Sequence, residues 1–336
     1  MKLSIEKIRE ISTGAVRVFE ENGAVELSRF SKDESELYKS KNPDHYMKSL
    51  ASSGMRLSFK TDSETLFICA EMTLGSSRKY FSFDVFVNGK CIGHLDNFSD
   101  VELPPLFSVV NFPLGEYSKK FELGTGVKEV TVYLPWSTKT SIKEISVDDG
   151  AFVEAVKRDK KLVAYGDSIT QGYDALRPSN RYVARLCDAI GAEEINKAIG
   201  GEFFYPPLAA LAGGDEPDIV TVSYGTNDWN RLTLEKFKER SREFFENIRK
   251  SYPNAKIFAI SPIWRKDGVE ERPFGKFETV HGHIGEAVEG LGIELVYGYD
   301  LVPEDPSLFG DLRLHPRDEG FEYYANNLLK KLEGKI

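Results

Sequence analysis

The hydrophobic and polar residues of this 336-residue chain follow two different patterns, one in each half. Up to about residue 150, short runs of aromatic and β-branched side chains alternate with turn residues, which is typical of antiparallel β-structure. In the run at 127–134, apolar and polar side chains alternate as in a half-buried strand. The predicted strands of this half lie at 55–60, 66–72, 80–87, 91–95, 107–112 and 127–134.

Two neighbouring strands of this half are joined by Asn88 and Gly89. Asn-Gly strongly favours a two-residue hairpin turn, because both turn positions need a positive φ angle. This hairpin and the other short strands predict a β-sandwich, jelly-roll-like, over residues 1–155. The polar stretch at 32–48 interrupts the pattern and is predicted to be an insertion or a short helix.

Beyond residue 150, apolar strand runs alternate with helical patterns. One helix is predicted at 234–252, with Thr233 as its N-cap, and another begins at Tyr182. Such alternation predicts a parallel sheet covered on both faces, here over residues 156–336. The predicted strands of this half lie at 161–165, 219–223, 256–261 and 293–296.

The overall composition is that of an ordinary globular protein, with 41% hydrophobic and 29% charged residues. The net charge of −9 argues against binding to nucleic acid or to anionic membranes by bulk attraction. No segment is apolar enough to cross a bilayer, so no membrane partner is expected. Nothing in the composition indicates the oligomeric state.

The cysteines and the first residues bear on the location of the protein. Cys69, Cys91 and Cys187 have no metal-binding spacing, which predicts reduced thiols and a packing role. The first residues lack the apolar core of a signal peptide. We therefore expect a cytoplasmic protein, or a secreted one if a signal peptide has been removed.

A candidate nucleophile lies where the first strand of the second half ends. The sequence Gly-Asp-Ser-Ile-Thr occupies 166–170, and a serine there is held by rigid backbone at the open edge of the sheet. The position also suits a helix cap, so the block alone leaves both roles open for Ser168. A serine nucleophile needs a base, and His315 follows far downstream in a Leu-His-Pro sequence before a predicted helix.

Two further blocks lie between Ser168 and His315. Residues 196–201 read Asn-Lys-Ala-Ile-Gly-Gly, and a glycine there allows a backbone N–H to approach a ligand closely. Residues 225–228 read Gly-Thr-Asn-Asp, directly after a predicted strand. Each block would also serve as a plain turn at a strand end. Because Ser168 and Asn227 both follow strands, we expect them to converge at one edge of the sheet.

The four blocks, in this order, resemble the SGNH (GDSL-like) hydrolases, a family of esterases and lipases, over about residues 158–336. The resemblance implies a flavodoxin-like hydrolase domain in which Ser168 is the nucleophile and His315 the base. It also implies an oxyanion hole that consists of the backbone N–H groups of Ser168 and Gly201 and the side-chain amide of Asn227.

Two of the implied assignments have alternatives. In the family the acid lies three residues before the histidine, but here that position is Leu312, and Asp311 lies four before. A one-residue bulge would still bring Asp311 to His315. Otherwise a backbone carbonyl would orient the imidazole, giving a Ser–His dyad as in some related carbohydrate esterases. Gly200 would replace Gly201 if the register differs by one residue.

The resemblance predicts a serine esterase that hydrolyses short-chain, acetyl esters of a carbohydrate through an acyl-enzyme. Local sequences are similar to bacterial two-domain members, several of which deacetylate sugars. Asp167, Trp229 and Trp264 are candidate substrate-contacting residues, although the tryptophans also suit the core. The alternatives are a lipase or thioesterase for longer acyl chains, or a carbohydrate-binding protein with a weakly active hydrolase domain. No metal or organic cofactor is implied, and the expected partner is a small-molecule or oligosaccharide ester.

Overall fold

The computed structural model describes residues 1–214 and 216–336. Within them the chain forms two antiparallel sheets followed by one parallel sheet. The strands of the antiparallel part are β1 (Ser12–Thr13), β2 (Arg17–Glu21), β3 (Ala24–Ser28), β4 (Arg56–Thr61), β5 (Thr65–Leu74), β6 (Ser82–Val87), β7 (Lys90–Asp96), β8 (Gly115–Glu122), β9 (Lys128–Tyr133), β10 (Thr138–Val147) and β11 (Glu154–Ala155).

The two antiparallel sheets share one hydrophobic core. One sheet has the order β1-β4-β9-β6-β7, with β11 also paired to β4, and the other has the order β2-β3-β10-β5-β8. Phe59 and Val130 from the first sheet and Ile68 and Ile145 from the second belong to the same buried cluster. The predicted β-sandwich is therefore present. The jelly-roll-like connection of its strands stays a prediction.

The predicted hairpin is present, but one predicted strand is wrong. Asn88 and Gly89 join β6 to β7 with φ angles of 47° and 77°, as the turn requires. Within 107–112, by contrast, Phe107–Val109 forms a single 3₁₀ turn. Its Phe107 packs edge-to-face on Tyr80, with ring centroids 5.5 Å apart, so Phe107 fills a core instead of pairing in a sheet, while Val109 is 74% exposed.

Three helices accompany the sandwich, namely α1 (Ile5–Ile11), α2 (Lys32–Lys41) and α3 (Pro43–Ser49). The last two occupy the polar stretch for which an insertion or a short helix was predicted. Ser31 and Glu34 form a capping box at the start of α2. Asn42 accepts a hydrogen bond from the N–H of His45 and so caps α3. These caps explain why so polar a sequence is helical.

The parallel sheet has the order β13-β12-β14-β15-β16. This is the flavodoxin-like order, so the predicted fold class is confirmed. In such a sheet the strands that follow β12 lie on both sides of it, so the strand order reverses there. The crevice between β12 and β14, at this reversal, is the usual ligand position. Its strands are β12 (Lys160–Gly166), β13 (Ala192–Asn196), β14 (Ile219–Ser223), β15 (Lys256–Ile260) and β16 (Glu294–Val296).

Helices cover both faces of the parallel sheet. The long helix was predicted closely, because Thr233 caps it and its apolar side chains fall on one buried face. The helices of this part are α4 (Ser168–Gln171), α5 (Tyr182–Ile190), α6 (Pro206–Ala210), α7 (Thr226–Arg231), α8 (Leu234–Ser251), α9 (Val280–Val288) and α10 (Asp318–Leu332).

Three other sequence expectations concern the chain as a whole. Cys69, Cys91 and Cys187 are all free thiols, as predicted, but the predicted packing role is wrong for Cys91, which is exposed. Among the described helices, none is both long and apolar enough to cross a membrane. The division predicted between 155 and 156 falls in the segment between β11 and β12. A domain boundary at that point stays a prediction.

Candidate active site

Ser168 lies in a tight turn at the carboxyl end of β12. The strand ends at Gly166 and α4 begins two residues later, with Asp167 as its N-cap. The carboxylate of Asp167 accepts a hydrogen bond from the N–H of Ile169 at 2.9 Å. A Cβ at Gly166 would lie 2.2 Å from Oγ1 of Thr170, so the turn requires glycine there. The turn holds the serine hydroxyl in one place at the edge of the sheet.

His315 is within hydrogen-bonding distance of that hydroxyl. Nε2 of His315 and Oγ of Ser168 are 2.9 Å apart, and the histidine side chain is 13% exposed. The loop that carries His315 precedes α10 and is held by a hydrogen bond of 2.8 Å from the N–H of Gly310 to the carbonyl of His315. The ring of Tyr173 packs on the imidazole, with centroids 5.5 Å apart. The imidazole is therefore held on two sides.

Asp311 reaches His315 despite the unusual spacing. Its Oδ2 lies 2.8 Å from Nδ1 of the imidazole, and its Oδ1 accepts hydrogen bonds from the N–H groups of Arg313, Leu314 and His315. The extra residue, Leu312, has a φ angle of 56°, in the left-handed region. This conformation is the one-residue bulge that the sequence left open, and a carboxylate, not a backbone carbonyl, accepts from Nδ1.

The hydrogen bonds on Asp311 fix the protonation of the pair. Burial acts to raise the pKa of Asp311, but the hydrogen bond and charge of His315 and the backbone N–H groups outweigh it and hold the pKa well below its usual value. An ionised carboxylate accepts the Nδ1 proton, so Nε2 is left as an acceptor for the hydroxyl of Ser168.

Asp174 is a second carboxylate beside His315, and sequence reasoning missed it. Its Oδ2 lies 3.9 Å from Nδ1 of His315 and has no hydrogen-bond partner among the described residues. Its Oδ1 accepts a hydrogen bond of 2.6 Å from Nε of Arg78, which belongs to the sandwich. Tyr173 and Asp174 lie in a loop, where such residues are common, so their sequence alone does not indicate a place in the site. Only the contact across the two halves of the chain reveals its position.

One group of side chains in the described part of the chain could hold a metal ion, and it consists of Asp174, Asp311 and His315. Its ligand atoms lie within 4.8 Å of one another. However, the guanidinium of Arg78 already supplies a positive charge to Asp174, and Nδ1 of His315 is engaged by Asp311. The donors are thus better explained by the hydrogen-bonded arrangement than by a resident cation.

Residues 196–201, the glycine loop, lie beside Ser168. Their geometry favours the backbone N–H of Gly201 over that of Gly200 as the donor left free for a substrate. The N–H of Ile199 donates to the carbonyl of Gly166 at 3.1 Å, which holds the loop against the end of β12. The N–H of Gly200 is used by Oε1 of Gln171 at 2.8 Å. The N–H of Gly201 has no acceptor within the described residues, and its φ angle is 84°.

Asn227 follows β14, the strand next to β12. It is the second residue of α7, and the preceding turn has Gly225 at a φ angle of 119°. Its side-chain amide donates one hydrogen to the carbonyl of Glu202 at 2.9 Å. Glu202 directly follows Gly201, so this bond ties the amide to the glycine loop. The second amide hydrogen remains available for another acceptor.

Two of the three predicted substrate-contacting residues lie in unsuitable positions. Trp229 is fully buried in the core, and its indole N–H donates to the carbonyl of Gly275, so it presents no face to a substrate. Asp167 is 3% exposed and caps α4, and its burial raises its pKa to about 6. Trp264 is half-buried beside Phe309, with ring centroids 5.3 Å apart, in contact with the loop that carries His315.

A large cavity elsewhere in the structure does not belong to this group. It has a volume of about 810 Å³ and is lined by residues at the amino ends of the parallel strands, including Lys160, Ile219 and Lys256. Ser168 lies at the carboxyl ends of the same strands. Ligands of open parallel sheets bind at the carboxyl edge, which is where the hydrogen-bonded residues are found.

Comparison with solved structures shows that other proteins, among them the following three, share this fold. A salicylyl-acyltransferase from a tetracycline biosynthetic pathway has a TM-score of 0.76 at 21% identity, covering 94% of this chain and 92% of its own. A GDSL-like lipase from Bacteroides ovatus has a TM-score of 0.76 at 19% identity over 99% and 96%. A family two carbohydrate esterase from Cellvibrio japonicus has a TM-score of 0.65 at 14% identity over 99% and 96%.

Sequence comparison adds the family. No curated protein matches the chain significantly. The model of the GDSL-like lipase/acylhydrolase family, however, matches residues 164–323, which include the serine turn, the glycine loop and the histidine loop. Residues 164–323 are therefore similar to the GDSL-like lipase/acylhydrolase family, and this match identifies the chain as a carboxylic ester hydrolase.

Proposed function

We propose that the protein is a serine esterase that removes short acyl groups, acetyl above all, from a carbohydrate. The observation that carries the catalytic part is the chain of hydrogen-bonding contacts from Ser168 through His315 to Asp311, with distances of 2.9 and 2.8 Å. Such a series of hydrogen bonds turns a weakly nucleophilic serine hydroxyl into an effective nucleophile.

In the first step Oγ of Ser168 attacks the ester carbonyl while Nε2 of His315 takes its proton. Asp311 keeps the proton on Nδ1 and stabilises the imidazolium that forms. The tetrahedral intermediate then collapses, the C–O bond to the alcohol breaks, and Nε2–H returns the proton to the leaving oxygen. An acyl-enzyme remains on Ser168.

In the second step a water molecule attacks the acyl-enzyme. His315 takes a proton from the water and returns it to Oγ of Ser168 as the acid leaves. In both steps the carbonyl oxygen becomes negatively charged. We assign its stabilisation to the backbone N–H groups of Ser168 and Gly201 and to the amide of Asn227, because neutral donors in a fixed position need no reorganisation.

Two observations support a sugar ester as the substrate. The half-buried ring of Trp264, which packs on Phe309 in the loop that carries His315, is a suitable flat surface for a pyranose. The solved structures with a similar fold include carbohydrate esterases that span the sandwich as well as the hydrolase part. We place the sugar against Trp264 and the acyl group between Ser168 and Gly201.

The first test concerns the nucleophile. Ser168→Ala should abolish hydrolysis of 4-nitrophenyl acetate and leave the circular dichroism spectrum unchanged. Its matched control is Ser179→Ala, since the hydroxyl of Ser179 donates to Asp84 and makes no bond to His315 among the described residues, so this variant should retain activity. Turnover by Ser168→Ala above a few per cent of wild type would reject Ser168 as the nucleophile.

The second test concerns the substrate. Acetate release from acetylated xylo-oligosaccharides should have a higher kcat/KM than hydrolysis of an aryl acetate, because the sugar adds contacts in the transition state. The kcat/KM for nitrophenyl esters should fall from acetyl to octanoyl. A preference for octanoyl would indicate a lipase or thioesterase, and no release from any acetylated sugar would reject the carbohydrate part of the proposal.

A further inference from the structure

The peptide group that joins Gly200 to Gly201 receives a hydrogen bond from a lysine of the N-terminal half. Nζ of Lys48, in α3, donates to the carbonyl of Gly200 at 2.9 Å. The carbonyl of Gly200 and the N–H of Gly201 belong to one planar trans peptide, so they point in opposite directions. A bond that fixes the carbonyl therefore also fixes the direction of the free N–H.

Lys48 is itself held in place. Its ammonium also donates to Oδ2 of Asp44 at 2.7 Å, and its side chain is 12% exposed. The carbonyl of Lys48 accepts a hydrogen bond of 3.0 Å from the guanidinium of Arg29. The same guanidinium donates to the carbonyls of Asn196 and Ala198, in the glycine loop. Helix α3 and the loop are thus joined by two cations, of which Arg29 is buried.

The neighbouring peptide is fixed as well. The N–H of Gly200 donates to Oε1 of Gln171, which lies one turn after Ser168. Between these two bonds the Gly200–Gly201 peptide has little freedom to rotate. The ammonium of Lys48 lies 3.7 Å from the position that a Cβ on Gly201 would occupy, so it is adjacent to Gly201 as well as to the carbonyl of Gly200.

A cation on a peptide carbonyl changes the N–H of that peptide. The C–N bond has partial double-bond character, so a donor on the oxygen withdraws electron density from the nitrogen. The N–H becomes a stronger donor, and hydrogen bonds in such a chain reinforce one another. The benefit grows as the acceptor gains negative charge, which happens only on the way to the transition state.

We propose that Lys48 is a positioning residue of the oxyanion site. It orients and polarises the Gly200–Gly201 peptide, so that the N–H of Gly201 stabilises the oxyanion. The inference rests on the proposed function, since it needs Gly201 to be an oxyanion donor. It assigns to α3, outside the hydrolase family domain, a part in catalysis.

The experiment compares Lys48→Met with Lys48→Arg, and uses Lys39→Met as a matched control. Lys39 is an exposed lysine on α2 that pairs with the exposed Glu36, and its loss should leave kcat within two-fold. Lys48→Met removes the charge and the donor but keeps the chain length. We expect its kcat for 4-nitrophenyl acetate to fall roughly 10- to 100-fold with KM within two-fold, and Lys48→Arg to recover most of the loss.

A transition-state analogue gives a readout that a merely structural role would not move. A boronic acid forms a tetrahedral anion on the serine, so its affinity for Lys48→Met should fall by the same factor as kcat. A kcat within three-fold of wild type, or a change in KM alone, would overturn the proposal. So would a loss of kcat without a loss of boronate affinity, because Lys48 would then not act on the oxyanion site.

Two further measurements keep these outcomes distinct. If Lys48→Met does not fold, Lys48→Gln replaces it, because glutamine can donate to the carbonyl but carries no charge. Full activity of Lys48→Gln would overturn the polarising role of the lysine. Labelling of Ser168 in the wild type by a fluorophosphonate tests the proposed function separately. No labelling there would reject the nucleophile, whatever the lysine variants do.

Discussion

At the residue scale, the carboxylate of Asp311 decides which tautomer His315 adopts. Its Oδ1 accepts three backbone N–H groups and its Oδ2 faces Nδ1 of the imidazole. The backbone contacts hold Oδ2 in place, so the acid is oriented before the substrate binds. Asp174, at 3.9 Å, is too far from Nδ1 to replace it without movement.

Asp311→Asn should therefore lower kcat about 10³- to 10⁴-fold, because an amide N–H facing Nδ1 favours the tautomer that leaves Ser168 without a base. KM for 4-nitrophenyl acetate should change little. Asp174→Asn should have a much smaller effect on kcat, since Asp174 makes no hydrogen bond to the imidazole. A kcat of Asp311→Asn within ten-fold of wild type would contradict the Ser–His–Asp arrangement.

Asp167 makes the stability depend on pH. Burial raises its pKa to about 6 from 3.8, although the N–H of Ile169 and the charges of His315 and Arg265 oppose the rise. Between these pH values the folded state binds more protons than the unfolded state, so stability falls as pH rises from about 4 to 6. Above pH 6 the cost is constant, and it amounts to at most about 3 kcal/mol.

Asp167→Asn should reduce this dependence. Its free energy of unfolding should change less between pH 4.5 and 7 than that of the wild type, because no charge has to be buried at neutral pH. Urea unfolding of both proteins at the two pH values gives the difference, which cancels the contributions of other buried acids such as Asp228. Equal slopes for the two proteins would show that Asp167 does not titrate in this range.

At the scale of elements, the loop between β16 and α10, which carries His315, contains one residue with a strained backbone. Leu312 has a φ angle of 56°, which costs a non-glycine residue about 1 kcal/mol or more. Its side chain is 38% exposed, so little burial offsets the cost. The strain is retained because it places Asp311 against His315, where the family spacing of three residues would need no bulge.

Leu312→Gly should raise the free energy of unfolding by up to about 1 kcal/mol, with kcat within two-fold of wild type. The matched control is Leu314→Gly, in the same loop, where the leucine is 6% exposed and its φ angle is negative. That variant should lose stability by about 3 kcal/mol or more, because a buried side chain is removed. Thermal or urea unfolding measures both. Equal losses in the two variants would contradict the strain argument.

At the scale of the whole molecule, the sandwich holds the segment that follows Ser168. The guanidinium of Arg78 pairs with Asp174, and the indole N–H of Trp136 donates to the carbonyl of Ala175 at 2.8 Å. The ring of Trp136 also packs on Tyr173, with centroids 5.2 Å apart. Because Tyr173 and Asp174 both lie against His315, the sandwich supports the imidazole of His315.

Arg78→Met should lower the free energy of unfolding by about 3–5 kcal/mol, because the buried carboxylate of Asp174 loses its partner. It should also lower kcat, since Asp174 and Tyr173 would shift against His315. The double variant Arg78→Met/Asp174→Asn removes both charges and should recover most of the stability. If the double variant were as unstable as the single one, loss of packing and not an unpaired charge would explain the effect.

The sequence by itself determined much of the fold. The strands of the parallel sheet other than β13 and the helix α8 follow from local periodicity, because a buried strand needs a continuous apolar run and a surface helix an apolar face. β13 was missed because its sequence, Ala-Glu-Glu-Ile-Asn, is polar. Its Glu194 is buried with its charge paired to Arg181 and with a hydrogen bond from Asn196. The strand predicted at 107–112 is wrong because an aromatic cluster and a buried strand require the same kind of apolar residue, so local sequence does not distinguish them.

The candidate site divides in the same way. The sequence offers Ser168, Gly201, Asn227 and His315 as candidates through the order of four blocks and the family that this order resembles, because each block alone also suits a turn or a helix cap. Tertiary structure alone decided that Leu312 adopts a left-handed conformation and that Trp229 belongs to the core. It also decided that Asp174 and Lys48 lie beside the site. These facts depend on contacts between residues far apart in the chain, such as the 152-residue separation between Lys48 and Gly200, and no local pattern encodes such contacts.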